Sequence, residues 1–315
     1  MMPSDYQKMN KVQFNRYLIA KGFSAKSIQS MLVVFNQYLQ WLVKENMEIA
    51  EISYNDLLLF MKHCQHKGMS QRTIKHYIIV VRHFYDYLVS ETRIAINPVI
   101  NITIKGIKRK VLYHILDPHE LQILYNSYQD DSPKGIRSKV MLGLLVNQGL
   151  KTEELAKLQV KDIDLRAGKI IVPGGRKSNG REMQLASHQV MELYEYVLQA
   201  RKKIQQLPPK RKQHKPQETE QLFIAEGGHK ANFSNYMTQL MIKLRKINPS
   251  ILNAKQACLS VRQIRASVIT KWLKQYNLRE AQYLAGHRFI SSTESYLEND
   301  VEELKEEVQQ FHPLG

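Results

Sequence analysis

Apolar side chains between residues 11 and 96 recur every three to four positions, the spacing of one face of a helix. In "SAKSIQSMLVVFNQYLQWLVKEN" they are Ile28, Met31/Leu32, Phe35, Leu39 and Leu42, with Ser24 placed to cap the N-terminus. "KVQFNRYLIAKG", which ends at Gly22, reads the same way. So does "SYNDLLLFMKHCQHKG", where Ser53 and Asp56 have the spacing of a capping box with Asp in place of Glu. "SQRTIKHYIIVVRHFYDYLVSE" follows Gly68 and alternates apolar positions with basic Arg72, Lys75 and Arg82. The pattern predicts a four-helix domain over residues 1–96, with basic faces.

The periodicity then stops. Asn97-Pro98 ends a helix, "KGIKRK" places Lys105, Lys108, Arg109 and Lys110 within six residues, and Asp117-Pro118 opens the next helix as N-cap and N1. Residues 97–115 therefore read as a basic interdomain linker, suited to lie across phosphates. From 116 to 297 the pattern is helical apart from one patch. There, Ile170–Val172 and Glu182–Leu185 read as strands around the glycine turn Gly174-Gly175 and Asn179-Gly180. "RKKIQQLPPKRKQHKPQ", 201–217, reads as an exposed loop. In the acidic tail, 298–315, Val301, Leu304, Val308 and Phe311 form an apolar helical stripe.

Composition narrows the partners. The 315 residues are 43% hydrophobic and 24% charged, a folded chain long enough for two domains. A formal charge of +17 repels itself and adds nothing to folding, so a polyanion is the expected partner, nucleic acid first. A basic surface kept for solubility is the plain alternative. Cys64 and Cys258 form no CxxC pair, and His63, Cys64, His66 and His76 fall on different helical faces, so no metal site or disulfide is expected. The N-terminus lacks an apolar leader and the longest apolar run, "VMLGLLV" at 140–146, is too short to span a bilayer. These readings predict a cytoplasmic, nucleoid-associated protein with no membrane partner.

Candidate chemistry lies near the C-terminus. Arg262 and Arg265 in "SVRQIRAS" share a helical face and can fork onto a phosphate. Gly286-His287 and then Tyr296 follow. Each is weak evidence alone: Tyr296 by itself reads as a core aromatic, and "NLREAQYLAGHRFISSTESYL" by itself suits a helix-turn-helix.

Together these residues resemble the signature of the tyrosine recombinases, the phage-integrase or Xer-like family. The signature comprises His-x-x-Arg, Leu-Gly-His, and a tyrosine nine residues after that histidine. The chain has Arg262-x-x-Arg265, Ala285-Gly286-His287 and Tyr296. Upstream, "QGLKTEEL" at 148–155 is similar to "TGLRxSEL", and "GGRKSNGRE" to the family's "GKGxKER" hairpin. The resemblance covers roughly residues 11–315.

The resemblance implies a mainly α fold: a four-helix SAM-like core-binding domain and an α+β catalytic domain with a small antiparallel sheet, closing as a C-shaped clamp on duplex DNA. It implies cleavage and rejoining without metal, ATP or other cofactor, through a 3′-phosphotyrosyl intermediate on Tyr296. A phenol must be activated to attack at neutral pH, and the charge gathering on the phosphate must be met by fixed cations. By resemblance, Arg265 and His287 hold the scissile phosphate, and Arg262 takes the family's His/Lys position. Lys177 is the general acid, ahead of Arg176, because an arginine does not readily release a proton.

Lys151 stands where the family has its first arginine. It keeps the charge but loses the fork, at a cost of about 2–4 kcal/mol, on the order of 10²–10³ in rate. The resemblance also implies that the tail docks on a neighbouring subunit of a DNA-bound tetramer. The leading expectation is a site-specific integrase or transposase of a mobile element. A weakened, DNA-binding accessory acting with a partner recombinase comes second, and a type IB topoisomerase third.

Overall fold

Three of the N-terminal helices start on a serine. Ser24, Ser53 and Ser70 accept the backbone N–H of Ser27, Asp56 and Thr73, opening α2 (Ala25–Lys44), α3 (Tyr54–His66) and α4 (Gln71–Ser90). Asp56 returns a bond from the Ser53 N–H at 2.9 Å, completing the capping box. Helix α1 (Pro3–Ala20) begins earlier than its apolar pattern indicated. The computed structural model describes residues 3–105, 115–175, 178–209, 218–229, 232–249 and 259–297. The chain divides into two compact units, Met1–Lys108 and Arg109–Gly315, each with its own core.

The first unit closes on Phe14, Phe35 and Phe84, with ring centroids 4.5–5.5 Å apart. Beneath them the Tyr38 and Tyr85 hydroxyls share a buried hydrogen bond of 2.9 Å. The expected linker starts inside this unit. Val99 and Ile102 are buried in its core, Arg82 donates to both their carbonyls, and Asn97 donates to Asp86. The physical reason is that Asn97-Pro98 ends the helix but the apolar residues after it still need cover. Lys108, Arg109 and Lys110 lie outside the described residues.

In the second unit Asp117 and Glu120 cap α5 (Pro118–Ser127) reciprocally, as the Asp-Pro start predicts. Just before it, the Leu116 N–H donates to Ser267 Oγ at 2.8 Å. Helices α6 (Pro133–Gln148) and α7 (Thr152–Leu155) lead into an antiparallel sheet of order β1-β2-β3. Its strands are β1 (Ile163–Asp164), β2 (Lys169–Val172) and β3 (Arg181–Gln184). The register pairs Ile170 with Met183 and Val172 with Arg181, so Arg181 lies on the buried face. The two-residue β1 is too short to leave a pattern in sequence.

Helices α8 (Ser187–Glu195), α9 (Arg201–Gln206) and α10 (Phe233–Ile247) follow. The start of the expected 201–217 loop is thus helical. Tyr196, Ala200 and Ile204, spaced by four, are all buried, and Arg201 donates to the Thr219 and Gln221 carbonyls. Residues 210–217 lie outside the described residues. Helices α11 (Val261–Gln275), α12 (Leu278–Ala285) and α13 (Ser291–Glu294) complete the unit. The "VMLGLLV" run is buried on every side of α6, and no helix among the described residues is long and apolar enough to cross a membrane.

Candidate active site

Two helix ends meet one guanidinium. Helix α6 ends at Gly149 and α12 at Gly286, both in the left-handed region that glycine reaches at little cost. A helix end leaves carbonyls without helical partners, and Arg265 on α11 takes one at each turn. It donates to Gly149 O at 2.5 Å and Ala285 O at 2.6 Å while only 5% exposed. Burial pushes its pKa down and Glu154, with a carboxylate oxygen 3.9 Å away, opposes that, so the group stays a cation.

The turn at Gly286 delivers His287. Its Nε2 lies 3.2 Å from Arg265 Nη2, and its Nδ1 lies 3.0 Å from Thr293 Oγ1. An arginine can only donate, so Nε2 accepts, and the ring proton sits on Nδ1, facing Thr293. Tyr296, half-buried past the end of α13, stacks on this imidazole with centroids 5.9 Å apart and planes 16° from parallel.

Lys151 sits at the start of α7, two residues beyond the Gly149 turn. Burial pushes its ammonium down from the ordinary lysine value and Arg265 adds repulsion, while Glu154, 3.8 Å away, opposes both. Glu154 is the anion at the centre of these cations. It takes both Nη atoms of Arg181 at 3.1 Å and the Lys151 backbone N–H at 2.9 Å. Burial pushes its carboxyl up, but Arg181, that N–H and Arg265 outweigh burial and leave it below the ordinary value. Arg181 also explains Gly286 a second time: a Cβ there would come within 2.4 Å of Arg181 Nη1.

The fold therefore gathers Arg265, His287, Tyr296 and Lys151 of the expected set. Arg262 is exposed on the first turn of α11, although Arg265 three residues on is buried. Lys177 and Arg176 lie outside the described residues. Their flanks, Gly175 and Ser178, pair with each other, and Ser178 pairs with His287, so Ser178 adjoins the site. Arg72, Lys75 and Lys105 are exposed in the first unit. Val301, Leu304, Val308 and Phe311 lie outside the described residues.

Glu154 and Arg181 escaped the sequence reading. The signal for Arg181 was its inward parity with Met183 on β3; Glu154 gave none, because an acid on a short polar helix reads as solvent-facing.

Comparison with known proteins agrees with this geometry. The model described as "Phage integrase family" matches residues 114–303, and "Phage integrase, N-terminal SAM-like domain" matches 12–92. The chain is 24% identical over 310 residues to tyrosine recombinase XerC of Bacillus pumilus, covering 95% of each. Two solved structures share the fold. XerH site-specific recombinase bound to palindromic difH has a TM-score of 0.71 and 19% identity, covering 92% of this chain and 81% of that one. Tn1549 transposon integrase in complex with a circular intermediate DNA has a TM-score of 0.64 and 15% identity, covering 94% and 99%.

Proposed function

The chain belongs to the phage integrase family of tyrosine recombinases, and we propose that it cuts and rejoins duplex DNA at specific sites through Tyr296. The observation that carries this is the buried Arg265, held by two helix ends beside a histidine that stacks on Tyr296. Three of the five guanidinium N–H groups serve to fix Arg265, and the rest are left for a phosphate.

In this reading the Tyr296 hydroxyl gives up its proton to solvent as its oxygen attacks phosphorus, the bond to the 5′-oxygen breaks, and a 3′-phosphotyrosyl link holds the bond energy for religation. The leaving 5′-oxygen takes its proton from Lys177. His287 Nε2 carries a lone pair in the free protein, so it donates to a phosphate oxygen only after gaining a proton. Arg262 and Arg176 meet phosphates near the site. Lys105, Lys108, Arg109 and Lys110 meet the flanking backbone, and Arg72 and Lys75 present the first unit to DNA. The tail stripe docks on a second subunit in a DNA-bound tetramer. The DNA complexes of XerH and of the Tn1549 integrase support duplex DNA as the partner, and the latter supports a mobile element as the setting.

A nicked suicide duplex carrying the recombination site tests the proposal. A covalent 3′ adduct that vanishes in Tyr296→Phe supports it. Tight binding without any adduct sinks the enzyme reading. One observation favours a second reading, a weakened enzyme that works with a partner recombinase: Lys151 is a half-buried point charge close to Glu154, without the fork of an arginine.

A further inference from the structure

One more cation lies at the rim of this site. Lys157, two residues past α7, is exposed, and its ammonium has no ion pair or hydrogen bond among the described residues. Of the carboxylates three and four residues before it, Glu154 has both oxygens committed to Arg181, and Glu153 makes no ion pair with it. The Lys157 ammonium instead lies against the hairpin turn. A Cβ on Gly175 would come within 3.3 Å of Lys157 Nζ and 3.4 Å of Ser178 Oγ. Gly175 and Ser178 exchange two backbone hydrogen bonds, of 2.8 and 3.3 Å. Ser178 pairs with His287, and the Asn179 N–H donates to Gly286 O at 3.1 Å. Lys157 therefore sits beside the backbone that carries His287.

We propose that Lys157 binds the DNA phosphate next to the scissile one and so adds to the affinity for the strand without aligning it for attack. The inference rests on the DNA-cleavage reading of the site. A solvated ammonium that meets no DNA would need no such placement beside the hairpin. The contact is ionic, so it releases one counterion and shows in the salt dependence of binding.

The test uses the full chain with Tyr296→Phe, to prevent cleavage, and a short labelled duplex, with affinity measured by anisotropy from roughly 50 to 200 mM salt. Lys157→Met should make the plot of log affinity against log salt shallower by about 0.9, and Lys157→Arg should restore the parent slope. With Tyr296 intact, Lys157→Met should raise the DNA concentration for half-maximal adduct formation and leave the maximal rate unchanged. A slope for Lys157→Met equal to the parent's overturns the assignment, as does a lower maximal rate with unchanged half-saturation. If the unsubstituted chain binds duplex but forms no adduct, the enzyme reading fails while the salt slope still decides the phosphate contact.

Discussion

Lys151, Glu154 and Gly286 act on the same square of charges in different ways. At position 151 the ammonium keeps the charge of the arginine that the family motif carries, without its second donor. Lys151→Arg should hold or raise the rate of Tyr296 adduct formation, and Lys151→Ala should lower it by a factor on the order of 10²–10³. Equal rates for Ala and the parent would remove position 151 from the mechanism. Glu154→Ala leaves Arg181 buried without its anion, so denaturant unfolding should show a loss of about 3–5 kcal/mol. The same carboxyl sets a pH dependence. Its folded pKa lies below the unfolded one, so its contribution is complete above the unfolded value, about 4.3, and drains as pH falls through the lower folded value. Glu154→Gln should flatten the acid limb of a stability-against-pH curve. Gly286→Ala combines a left-handed backbone with a Cβ within 2.4 Å of Arg181 Nη1, and should cost about 1–3 kcal/mol or more in the same unfolding assay.

Among the elements, those with a repeating pattern were legible in sequence and those that depend on a neighbour were not. Caps at Ser24, Ser53 and Asp117 are local chemistry and formed where their residue types indicate. The stretch after Asn97 has apolar Val99, Ile100, Ile102 and Ile104 but no helical period, and it is held by Arg82 through the carbonyls of Val99 and Ile102. Arg82→Met should cost about 1.5–3 kcal/mol and speed amide hydrogen exchange across residues 99–104. Unchanged exchange there would mean that burial of Val99 and Ile102 suffices. The helical run through Tyr196, Ala200 and Ile204 reads as loop from Arg201 onward only because basic and proline residues crowd in there. Its three buried side chains decide otherwise.

At the scale of the molecule, the net charge of +17 is the property that no single element explains. With 6–10 phosphate contacts, DNA affinity should fall by on the order of 10³–10⁵ between 50 and 200 mM salt. A salt-independent affinity would contradict duplex binding by these basic residues. The acidic tail points the other way in charge and serves assembly in the proposed reading. Truncation after Asp300 should weaken tetramer formation on DNA without weakening monomer binding, measured by light scattering beside gel shifts.

The sequence alone was enough for the helical periods, the caps and the recombinase signature, because each depends on spacing along one chain, and for the basic balance, because that depends only on composition. It also identified Arg265, His287 and Tyr296 as a group, since their separations match a known motif. Only the folded chain decided that Arg265 is fixed by the carbonyls of Gly149 and Ala285, that Arg262 stays exposed, and that Glu154 pairs with Arg181. These contacts join residues 20 to 116 positions apart. No local pattern records such pairings: a buried charge finds its partner through the packing of helices and sheet, not through its neighbours in sequence.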